Sequence, residues 1–135
     1  MRYAFMIPIG DWSGDGHSIK EEYHATAAKP IEDVREAYFA AKKKLPPECC
    51  PENFCNLYEE PEMAEESRAA LTAAGYNVPE EIDAKAIASI VVWFLNQGDP
   101  SADVRLDGER PEMLPFYGYD KKKRHIGGFG YGLFQ

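Results

Sequence analysis

Tyr3-Ala4-Phe5-Met6-Ile7-Pro8-Ile9-Gly10 and the run from Ile19 to Ala27, separated by Asp11-Trp12-Ser13-Gly14-Asp15-Gly16, decide the fold class. The first segment is rich in apolar residues that suit a pleated, half-buried strand, and Gly10 closes it. The Asp- and Gly-rich link is a loop, because its residues break both helix and strand periodicity. Ile19–Ala27 then returns as a second strand, antiparallel to the first. An N-terminal hairpin of this kind needs a covering layer for its apolar face, and the helical segments in the middle of the chain supply one.

Pro30 fits the opening of a helix, where its missing N–H leaves no bond unmade. Behind it Ile31, Val34, Tyr38 and Ala41 recur at helical spacing. Glu32 and Asp33 in the first turn and Lys42 to Lys44 in the last match the helix dipole, and Pro46-Pro47 ends the helix. Pro61 opens a second helix with Met63, Ala70, Leu71 and Ala74 on its apolar side and Gly75 as its C-terminal cap. A third begins after Pro79 and runs to about Gln97, with Gly98 as its stop. Its stripe of Ile87, Ile90, Val91, Phe94 and Leu95, widened by Val92 and Trp93, predicts burial in a core or against a second subunit.

From Asp99 onward Pro and Gly punctuate short segments at 104–106, 113–119 and 125–134, read as strands, with a hairpin tip at Tyr119 to Lys123. The expected class is therefore α+β. One domain spans residues 1–135, with an antiparallel sheet of four or five strands and three helices inserted between its N-terminal and C-terminal strands.

A chain of 135 residues matches one domain and can bury a core without staples. With 44% hydrophobic and 28% charged residues it reads as globular. A net charge of −8 repels phosphate backbones and anionic membranes, so nucleic acid and membrane are not the expected partners. The N-terminal apolar run is too short for a signal-peptide core, and the expected location is the cytoplasm. Cys49, Cys50 and Cys55 cannot all pair within one chain, and their spacing lacks the C-x-x-C of zinc sites. They are expected to be free, buried or half-buried thiols in a loop stiffened by Pro46, Pro47 and Pro51.

Three patterns carry ligand chemistry. Asp11, Ser13 and Asp15 place oxygens at positions one, three and five of a twelve-residue stretch, with Gly16 at six and Glu22 at twelve. This spacing resembles the calcium loop of EF-hand proteins, in which alternate side chains converge on one ion, and the resemblance implies Ca2+ as the cofactor. Position eight is Ser18 where that loop carries an apolar residue, and the flanks read as strands. The plain alternative is a hairpin connection whose Asp and Ser bond to their own backbone.

His24 and Thr26, two apart on the second strand, face the same side. They resemble one half of the paired His-x-Thr signature of the 2H phosphoesterases, which implies a phosphate-ester enzyme. The second half is absent, since His17 precedes Ser18-Ile19 and His125 precedes Ile126-Gly127. In Gly128-Phe129-Gly130-Tyr131-Gly132-Leu133 the rings of Phe129 and Tyr131 share one face. That segment partly resembles the base-stacking strand of RNA-recognition domains. The ordinary reading is a core strand whose glycine face lets another backbone approach. Lys121 to Arg124 reads as a solvated hairpin tip.

No complete catalytic constellation emerges, and the enzyme question stays open at this level. The leading expectation is a small acidic, non-enzymatic binding protein. Its contacts would come from Trp12, Phe116, Tyr117, Tyr119, Phe129 and Tyr131, with a protein partner or a second copy of itself. The alternatives are a divalent-metal module at Asp11, Ser13, Asp15 and Glu22, and a phosphoesterase-like enzyme at His24 and Thr26. An acidic surface also suits a mimic of nucleic acid that occupies a basic protein.

Overall fold

The N-terminal hairpin forms as its alternation predicts. In the computed structural model, which describes residues 2–11, 18–51, 61–81 and 83–107, strand β1 (Tyr3–Asp11) pairs antiparallel with β2 (Ser18–Ala27). The register runs from Tyr3 opposite Ala27 to Asp11 opposite Ser18, with a bulge between Ile9 and Gly10. Phe5 and Ile7 on β1, and Tyr23, Ala25 and Ala27 on β2, share one face and are buried in the core. A two-residue strand, β3 (Arg105–Leu106), pairs with β2 at Thr26 and Ala25, giving the order β1-β2-β3. Among the described residues, Pro8, which has no N–H for a ladder, thus lies on an edge strand.

Helix α1 (Ile31–Lys44) buries Val34, Ala37, Tyr38 and Ala41, spaced so that one stripe faces inward. After it the chain makes a 3-10 turn at Pro47–Cys49, where Cys49 and Cys50 are buried. Helix α2 (Pro61–Ala73) buries Leu71 and rests Ala70 on the core, and Ala74 just past its end packs there too. It ends as its glycine predicts: Gly75 takes φ +99°, its N–H bonds to the Thr72 carbonyl, and the Tyr76 N–H bonds to the Leu71 carbonyl at 2.9 Å. This is the left-handed closing motif that satisfies orphan carbonyls. Arg68 ties α2 to the segment after it through the carbonyls of Pro79 and Glu80, at 2.8 and 2.7 Å.

The third helix differs from its expected bounds. Helix α3 spans Ala84–Gly98 and starts five residues past Pro79, because Asp83 caps it by accepting from the Ala86 N–H at 2.8 Å. Ile87, Ala88, Ile90, Val91, Phe94 and Leu95 are buried, and Val92 and Trp93 pack on the same core. Among the described elements α3 touches all three strands and α1. Its apolar stripe is therefore covered within the chain. Rings interlock around it, with Tyr38 against Phe94 and Tyr76 against Trp93, each at 5.3 Å between centroids.

The chain is thus α+β, with three helices and a three-stranded antiparallel sheet among the described residues, the helices lying between the hairpin and β3. The further strands expected at 113–119 and 125–134 lie outside the described residues. Among the described residues no helix is long and apolar enough to cross a membrane.

Gly98 does more than stop α3. A Cβ there would collide with the Ala37 carbonyl oxygen and lie 2.8 Å from the Ala41 nitrogen, so the two helices meet where only glycine fits. Both close atoms are backbone and cannot step aside. Gly98→Ala is expected to destabilise by about 3 kcal/mol, the upper end of overpacking costs. Gly75→Ala, with open space around its Cβ but a left-handed φ, is expected to lose about 1 kcal/mol. Urea denaturation of the two variants tests the order, and a Gly98→Ala protein as stable as the parent contradicts the close approach.

Candidate functional site

The contact that requires glycine also shapes the surface beside it. Ala37, Ala40 and Gly98 are too small to fill the junction of α1 with the end of α3, and a solvent-open depression of about 320 Å³ remains. Lys29, Asp33, Glu36 and Asp99 complete its lining. Asp33 and Glu36 are exposed on α1, Asp33 on the flank of the buried stripe one turn from Ala37. Asp99 is placed by the turn after α3, where its carboxylate accepts from the Ser101 N–H at 3.1 Å and the Ser101 hydroxyl at 2.5 Å. Lys29 reaches it from the far side at 2.8 Å.

The bond from Lys29, then that from the Ser101 hydroxyl, holds the Asp99 carboxyl below the usual carboxylate range. Among the described residues the lining carries three carboxylates, one of them paired with Lys29, beside the small Ala37, Ala40 and Gly98. The arrangement attracts a cation that carries an apolar stem.

The outer face of the sheet holds a second polar group. His24 lies opposite Met6, Thr26 opposite Ala4, and Arg105 opposite Thr26, so His24, Thr26 and Arg105 share the face away from the core. His24 and Thr26 are half-buried there, and Met6 is buried. The Thr26 hydroxyl accepts from Arg2 Nε at 3.0 Å, and the Thr26 carbonyl accepts from the same guanidinium at 3.2 Å. Arg2 also bonds to the side chain and carbonyl of Asp103, at 3.1 and 2.5 Å. Arg105 grips the Asp103 carboxylate with two nitrogens, at 2.7 and 3.2 Å. Asp103 takes a left-handed φ of 45°, a conformation Asp tolerates, and this turn aims its carboxylate at both arginines. Its pKa falls because of Arg105 first and Arg2 second.

Of the calcium-like spacing, Asp11 and Glu22 lie within the described backbone. Asp11 and Ser18 form the last pair of the hairpin, while Glu22 lies opposite Pro8, three residues back along β1. The two ends of the spacing are thus separated by about 10 Å of ladder. Ser13, Asp15, Trp12, Phe116, Tyr117, Tyr119, Phe129, Tyr131 and Cys55 lie outside the described residues. Among the described residues no cluster of three or more His, Cys, Asp or Glu side chains could hold a metal ion. Cys49 and Cys50 are buried, and the Cys50 sulfur lies 3.2 Å from the Tyr38 hydroxyl. Burial, then the charge of Glu48, raises the pKa of the Cys49 thiol, the direction of an unreactive structural cysteine.

Sequence reasoning passed over the residues that build the depression and hold β3. Asn96 is among them: its amide bonds to both the N–H and the carbonyl of Val104, at 2.8 and 2.9 Å, and so imitates a strand partner. No periodicity marks such a contact. Asp99-Pro100-Ser101 did carry a signal, since Asp before Pro with Ser two places on starts a turn with the carboxylate bonded to backbone.

Comparisons of the chain with protein-family models, with curated proteins and with solved structures give no match.

Two outcomes are expected from this chemistry. Asp99 and Asp103 have folded pKa values below their unfolded ones, so their contribution is complete at neutral pH. It begins to fall once pH drops below about 4, the unfolded carboxylate value, and is lost as pH passes through the depressed folded values. Asp103→Asn keeps a residue that accepts a left-handed φ and removes the charge. Its melting temperature should be lower than the parent's at pH 7, with the gap closing toward pH 2; a gap that persists in acid contradicts the ion-pair account. In a Cys55→Ser protein, Ellman's reagent should label neither remaining thiol in native buffer and both in guanidinium. Fast native labelling contradicts the burial of Cys49 and Cys50.

Proposed function

We propose that this is a non-enzymatic binding protein whose acidic depression, between α1 and the end of α3, receives a basic side chain of a protein partner. The observation that carries the reading is the lining itself: Asp33, Glu36 and Asp99 around Ala37, Ala40 and Gly98, with Lys29 as the single cation among the described residues. Lys29 is already paired with Asp99, and an arginine or lysine brings a second positive head for Asp33 and Glu36 and an aliphatic stem that covers the alanine floor. The volume suits one long side chain, at the small end of ligand pockets.

The charge of the whole chain works in the same direction. A net charge of −8 steers a basic partner over distances longer than any contact, with a reach set by a Debye length of about 8 Å at physiological salt. Several described cations are turned to internal tasks: Arg2 and Arg105 on Asp103, Lys29 on Asp99, Arg68 on backbone carbonyls. Glu32, Asp33, Glu36, Glu65, Glu66, Glu80 and Glu81 are exposed.

Fluorescence anisotropy with a labelled ten-residue oligoarginine peptide tests the reading. The parent protein should bind at low salt and more weakly at physiological salt. Asp33→Lys with Glu36→Lys should weaken binding at least about tenfold, equivalent to 1.4 kcal/mol. Glu65→Lys with Glu66→Lys, on α2, makes the same change in net charge and should cost markedly less. Equal losses in the two double variants mean that only overall charge attracts the peptide, and absence of binding to the parent removes the proposal.

A further inference from the structure

We draw no further inference here: the strongest candidate, the Arg2, Thr26, Asp103 and Arg105 cluster beside His24 on the outer face of the sheet, has both guanidiniums and the Thr26 hydroxyl engaged within the cluster, so it fastens β3 to the hairpin and nothing in the structure points to a ligand there.

Discussion

Where α1 meets the end of α3, the backbone of Ala37 and Ala41 comes so close to Gly98 that a single methyl group would overlap a carbonyl oxygen. That approach sets the position of one helix on the other. It lets Tyr38 reach Phe94 across the junction, and it brings Lys44 within reach of the Gln97 and Gly98 carbonyls, at 3.3 and 3.4 Å. Those carbonyls are among the orphan acceptors at the end of α3, so a lysine from one helix caps the other. Just outside the same junction, small residues leave the depression that Asp33, Glu36 and Asp99 border. A larger residue at 98 would disturb the packing and the surface together.

The attachment of β3 obeys a different logic. Two residues of strand offer little pairing of their own, and the segment before them is held mostly by side chains. Asn96 bonds to Val104 from within α3, while Arg2 and Arg105 converge on Asp103. Backbone bonds from Ala28 to Ala102 and from Asp107 to His24, at 2.7 and 2.8 Å, close the two ends. Exposed ion pairs of this kind contribute little singly, and their effect comes from converging on one carboxylate. By drawing cations into such contacts the fold leaves carboxylates at the surface, and the proposed recognition of a basic partner builds on that asymmetry.

The candidate site was much less readable than the fold. Asp33 and Glu36 are visible in the sequence only as helix-dipole partners and solvated charges, and Gly98 only as a stop signal. What joins them is a contact of Gly98 with Ala37 and Ala41, residues more than fifty positions away along the chain, and no local pattern encodes it. His24 and Thr26 were readable as sharing a face, because a strand alternates strictly. Their setting was not, since the arginine that engages Thr26 lies at position 2 and the carboxylate that engages that arginine lies at position 103.

The sequence by itself determined the hairpin, the three helices and, among the described side chains, most of those the helices turn inward, because periods of 2 and 3.6 and the signals at Gly75 and Pro30 act within a few residues. It also determined the acidic balance. The tertiary structure alone decided the packing role of Gly98 and the capping of α3 by Lys44. It alone brought the carboxylates of α1 together with Asp99. Each of these depends on which backbone atoms approach which, a distance set by the packing of whole elements rather than by the preferences of any one segment.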